Sequence, residues 1–67
     1  MDILINNHTL SVDKSTTLFH VLEQQGFTQI KGIAVALNDE VCTKDDWINI
    51  SLKPNAHITI IKASQGG

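Results

Sequence analysis

The chain finishes in Ala63-Ser64-Gln65-Gly66-Gly67, and the group with the clearest chemical use is the carboxylate of Gly67. A glycine has no Cβ, so its backbone enters a channel too narrow for other residues and accepts almost any φ. Gly66 shares that freedom, and with Gln65 and Ser64 it forms the stretch an enzyme would recognise on the way to the terminal carbonyl. A free α-carboxyl has a pKa of about 3.3–3.7, so at neutral pH it is an anion and a poor electrophile. To react it must first be activated by an enzyme, most simply as an acyl-adenylate made from ATP. The plain alternatives are a frayed terminus or an appended segment.

The remaining reactive side chains form no catalytic constellation. His8, His20 and His57 fall on a turn, a helix and a strand start, without the spacing of a metal-ligand pair. Glu40, Asp45 and Asp46 resemble paired carboxylates, but a solvated, capped helical turn accounts for them better. Cys42 is the single cysteine; it has no basic neighbour in the local sequence to activate it and reads as a small strand filler. Trp47 reads as a core plug. No catalytic residue and no metal ligand is expected.

Bulk properties agree with a carrier or binding module. At 67 residues the chain is one small domain, with a total stability of roughly 3–10 kcal/mol and little room for an enclosed active site beside a core. The net charge is −2 and there is no basic run, so nucleic acid is an unpromising partner. A lone cysteine argues against a disulfide-stapled secreted domain. No leader-like segment and no apolar run of spanning length is present, so the expectation is a cytoplasmic protein without a membrane partner, monomeric by itself.

The elements that must position the tail follow from pattern. Residues 1–5 read as a strand, Asn6-Asn7-His8 as a turn and Thr9–Val12 as the return strand. Thr17 caps a helix whose buried face is Leu18, Val21 and Leu22, with Phe19 at its edge and Gly26 as its stop. Gly32–Leu37 is a strand, Asn38-Asp39 a turn and Val41-Cys42 a short strand. Thr43–Trp47 is a single helical turn with Thr43 as its cap; Lys53–Ala56 is a turn and His57–Lys62 the last strand. The predicted organisation is a domain over 1–62 and a flexible tail over 63–67.

A hairpin, a crossover helix and a packed return strand give an α+β fold, a mixed sheet with one main helix on one face. This is the β-grasp arrangement. Alternation points Met1, Ile3, Ile5, Ile33, Val35, Leu37, Ile58 and Ile60 into the core. Leu4, Ala34, Ala36 and Ile61 then lie on the helix-free face. Together they form an expected apolar partner surface, on the sheet that the tail leaves.

The strand order with a Gly66-Gly67 end resembles ubiquitin-like proteins, and at this length it resembles the ThiS family of bacterial sulfur carriers in thiamine biosynthesis. Three segments carry the resemblance: Met1-Asp2-Ile3-Leu4-Ile5-Asn6, Ala34-Val35-Ala36-Leu37-Asn38-Asp39-Glu40-Val41 continuing to Trp47, and Gly66-Gly67. The start of the helix, Thr17–Leu22, is similar too, so the likeness covers essentially the whole chain. Two segments depart from the family's pattern. Thr43-Lys44 stands where the family often has Pro-Arg, which bears on a partner contact. Pro54-Asn55-Ala56-His57 replaces an Asp-Gly-Asp-like turn.

The resemblance implies a co-substrate and not an enzyme. An E1-like adenylating enzyme of the ThiF type would use ATP and magnesium to adenylate Gly67. Sulfur from a cysteine desulfurase persulfide would then displace AMP, leaving a thiocarboxylate that feeds a ThiG-type thiazole synthase. The chain itself would bind no cofactor. Competing readings are a molybdopterin-synthase small subunit, a ubiquitin-like modifier and a plain β-grasp interaction domain. The sequence leaves the sulfur-acceptor pathway open.

Overall fold

The computed structural model describes residues 1–29 and 31–62. In chain order the elements are β1 (Asp2–Ile5), β2 (His8–Ser11), α1 (Leu18–Gln24), a 3₁₀ turn (Phe27–Gln29), β3 (Ile33–Leu37), β4 (Glu40–Cys42), a 3₁₀ helix (Lys44–Asn49) and β5 (His57–Lys62). They form one five-stranded sheet in the order β2-β1-β5-β3-β4. The central strand β5 runs parallel to its neighbour β1, and every other adjacent pair is antiparallel. This is the β-grasp topology expected from the sequence.

Both hairpins close through two residues. Asn6 and Asn7 lie at φ +48° and +70°, and Asn38 and Asp39 at +50° and +71°. Two successive left-handed residues give a turn whose twist matches the flanking strands, and Asn and Asp tolerate that region best among residues with side chains.

The helix forms where the pattern placed it. Thr17 is extended, and its hydroxyl accepts a hydrogen bond from the His20 N–H at 3.2 Å. The start of α1 is also tied to the far segment: the Leu18 N–H donates to Ile50 O (2.9 Å) and the Leu52 N–H to Thr16 O (3.0 Å). After α1, Gly26 stops the helix at φ +81°. Leu18, Val21 and Leu22 are fully buried against Ile3, Val35 and Ile58 of the sheet. Each such side chain contributes about 1.5–3 kcal/mol, so this helix–sheet seam dominates the stability.

Several local expectations need correction. β1, β2 and β3 are each displaced by one residue at one or both ends, reaching Asp2–Ile5, His8–Ser11 and Ile33–Leu37. The link after Gly26 contains a 3₁₀ turn. The segment at Trp47 is six residues of 3₁₀ helix, two turns and not one. Thr43 does not cap it through its side chain. Its Oγ1 donates instead to Asp46 Oδ2 at 2.8 Å, because a carboxylate three residues on competes for the hydroxyl. Trp47 is the expected core plug, only 4% exposed.

Candidate functional site

The helix-free face of the sheet is built by register. Ala34 faces Ile61 and Ala36 faces Thr59 across the β3–β5 ladder, while Ala36 faces Val41 across β3–β4. Residues paired at the same level project to the same side and sit as neighbours. Ile61, Ala34, Ala36 and Val41 therefore form one apolar patch over β5, β3 and β4. Val41 and Ile61 are the most prominent members, 78% and 59% exposed.

Leu4, expected in the same patch, lies on the same face but apart from it. It is half-buried on β1 and pairs with His57 of β5 and Thr9 of β2. Thr59 stands between Leu4 and Ala36 along β5, so a polar residue interrupts the surface. Val41 is the residue that sequence reasoning missed. A three-residue strand gives alternation too little length to set a face, but placing Ala36 outward and pairing it across the Asn38-Asp39 turn would have found it.

The patch reaches the point where the tail begins. Ile61 and Lys62 are the last two residues of β5, and Lys62 pairs with Ile33. Ser64, Gln65, Gly66 and Gly67 lie outside the described residues. The patch therefore ends beside Lys62, the last described residue of β5.

The other titratable side chains remain separate. His8, His20 and His57 are all exposed. The His57 ring nitrogen Nε2 is 3.2 Å from Asn7 Oδ1. Among the described residues no group of three or more His, Cys, Asp or Glu is placed to hold a metal ion. Cys42 is half-buried, with Sγ 3.5 Å from the Glu40 carbonyl oxygen. Glu40, Asp45 and Asp46 are exposed, as expected for a solvated turn. No described helix is long and apolar enough to cross a membrane.

Comparison with known proteins gives consistent results. The ThiS family model matches residues 3–67. The crystal structure of a thiamine biosynthesis protein (ThiS) from Geobacter metallireducens superposes with a TM-score of 0.83 at 22% identity, covering 100% of both chains. A solution structure of a thiamine biosynthesis protein from the same organism gives 0.76 at 20% identity, covering 100% of this chain and 88% of that one. These likenesses show the same fold. No curated protein matches the sequence.

Proposed function

This chain belongs to the ThiS family of sulfur carriers, and on that premise we propose that Gly67 is the sulfur-carrying residue in the formation of a thiazole ring. Members of the family are small protein co-substrates and not enzymes, and they work with ThiF- and ThiG-type partners. The observation that carries the reading is that the family match runs through the Gly66-Gly67 pair.

The chemistry needs little from the carrier beyond its end. The Gly67 carboxylate attacks the α-phosphorus of ATP on a ThiF-type enzyme, with magnesium neutralising the phosphates, and pyrophosphate leaves. The acyl-adenylate now has a good leaving group. The outer sulfur of a persulfide from a cysteine desulfurase relay attacks the carbonyl carbon and AMP departs, leaving an acyl disulfide; a second thiol then attacks the inner cysteine sulfur, forming a disulfide between the two thiols and releasing the thiocarboxylate. That group is a better nucleophile than the original carboxylate and is handed to a ThiG-type thiazole synthase. ATP and magnesium belong to the partner.

The body supplies recognition. Val41, Ile61, Ala34 and Ala36 offer an exposed apolar surface next to the tail's departure point, of the kind that marks an interaction site. The tail after Lys62 has five residues and reaches at most about 17 Å when extended. A partner that docks on the patch therefore has the terminal carbonyl within the depth of an active-site channel. Ser64, Gln65 and Gly66 are the residues that channel would read.

The test is pyrophosphate exchange into ATP by the cognate ThiF-type enzyme. Exchange that depends on this chain and disappears on deletion of Gly67 supports the reading. Exchange that is indifferent to the deletion contradicts it.

A further inference from the structure

Ala34 and Val41 belong to the apolar patch, and both also line a cavity of about 510 Å³ between the start of β3 and the end of β4. The cavity exists because a ladder stops. β3 and β4 pair from Leu37–Glu40 through Val35–Cys42. In the same register Ala34 would next face Thr43 and Ile33 would face Lys44. The chain instead turns into the 3₁₀ helix at Lys44, and those rungs are not formed. Residues from both faces of the sheet therefore border the gap: Ala34 and Val41 from the helix-free face, Ile33 and Cys42 from the other, with Trp47 in the wall.

The charges of the lining are of one sign. Lys31 and Lys44 are both exposed, and no acidic residue joins them. Asp45 and Asp46 follow Lys44 but lie outside the lining, and Asp46 accepts the Thr43 hydroxyl at 2.8 Å. A chain with seven acidic and five basic residues thus gathers two of its five cations at one opening. A carboxylate between two ammonium groups relieves their mutual repulsion. The volume falls within the roughly 300–1,000 Å³ of ordinary binding pockets, so it admits a short loop carrying such a group.

We infer that a ThiF-type enzyme docked on the patch inserts an acidic loop into this cavity, with an Asp or Glu carboxylate held between Lys31 and Lys44. The inference rests on the reading of the patch as the partner's docking surface. A partner lying on Val41 and Ala34 already meets the cavity from its helix-free side, so the loop enters as part of the same contact. The two contacts divide the labour. Apolar burial supplies affinity without direction, whereas the ammonium–carboxylate contact fixes orientation and speeds encounter. Such exposed pairs are screened by salt, so their share of the binding falls as salt is added.

The experiment is isothermal titration of the full chain into the cognate ThiF-type enzyme without ATP, at low and high salt. The test variants are Lys31→Glu/Lys44→Glu and the milder Lys31→Gln/Lys44→Gln. The control is Lys14→Glu/Lys53→Glu, which makes the same change in net charge at exposed lysines outside the cavity. Urea titration checks that all three fold like the parent. The expected result is binding weakened at least about tenfold by the cavity charge reversal, less by the glutamines, and little by the control, with a smaller salt dependence in the glutamine variant. Equal losses in the two glutamate variants overturn the inference, because net charge alone would then act. So does unchanged binding in the cavity variants, or no binding by the parent. Inorganic phosphate, titrated into the chain alone and followed by ¹H–¹⁵N NMR, tests the rival occupant. Saturable shifts at Lys31 and Lys44, with enzyme binding indifferent to the variants, would make the cavity a small-anion site and overturn the inference. Lysine-dependent binding with pyrophosphate exchange indifferent to loss of Gly67 removes the carrier reading alone. Gly67-dependent exchange with lysine-independent binding removes the acidic loop alone.

Discussion

Asn6 and Ile60, 54 residues apart in sequence, complete the central parallel ladder: the Ile60 N–H donates to the Asn6 side-chain Oδ1 at 2.9 Å. The two rungs before it are backbone bonds, from Leu4 N to Ala56 O at 2.8 Å and from Asn6 N to Ile58 O at 2.9 Å. At Asn6 the chain turns left-handed into the hairpin, and its side chain supplies the next acceptor. Asn38 does similar work on the other side of β5. Its N–H donates to His57 O at 2.8 Å and its Oδ1 accepts from the His57 N–H at 3.0 Å. Two turn asparagines thus hold the strand that carries the tail.

The first prediction separates the acceptor at position 6 from the turn. Asn6→Asp keeps an oxygen and the tolerance for positive φ, and should unfold in urea close to the parent. Asn6→Gly keeps the left-handed turn, leaves the Ile60 N–H without its partner and should lose about 1–3 kcal/mol. Equal losses in the two variants would show that the Oδ1 contact is not what holds β5.

The apolar platform gives the second prediction. Val41→Asp and Ile61→Asp alter side chains that are 78% and 59% exposed, so stability should change by no more than about 0.5 kcal/mol. Docking should suffer far more. A loss of about 1.4 kcal/mol in partner binding is a tenfold drop in kcat/KM for adenylation. Urea titrations beside steady-state assays check both halves. Wild-type kinetics in both variants would move the docking surface elsewhere.

A third prediction concerns Trp47. Trp47→Ala removes a plug that is 4% exposed and should cost about 3–5 kcal/mol, a large share of the roughly 3–10 kcal/mol available to a domain of this size. Trp47→Phe keeps an aromatic ring and deletes an N–H that has no partner among the described residues. It should cost about 1–2 kcal/mol. Thermal unfolding of the pair checks the order, and an equal loss would mean that the indole N–H matters more than the ring.

The fourth prediction tests the helix stop. Gly26 lies at φ +81°, and a Cβ there would meet nothing within 4 Å. Gly26→Ala should therefore cost only the left-handed backbone penalty, about 1–2 kcal/mol. A loss well beyond that in chemical denaturation would indicate a clash the structure does not contain.

The sequence was most readable where one face of an element is buried. Ile3 and Ile5, Val35, and Ile58 and Ile60 alternate with exposed or half-buried neighbours, because a shift by one residue would expose the core. It was least readable where the deciding partner is remote or competes locally. Nothing near Asn6 announces Ile60. The Thr43 hydroxyl had two acceptable partners, and the Asp46 carboxylate took it. Leu4 was placed on the correct face, but its separation from Ala36 by Thr59 depends on the register of β5 between β1 and β3, which composition alone does not set.

The central claim is that Gly67 carries sulfur. Its most direct test is the intact mass of the chain after incubation with the cognate ThiF-type enzyme, ATP, magnesium, a cysteine desulfurase and cysteine. The account predicts a gain equal to replacing one carboxylate oxygen by sulfur, located at Gly67 by fragmentation and absent from a chain lacking that residue. An unchanged mass in the presence of a demonstrably active enzyme set would contradict it.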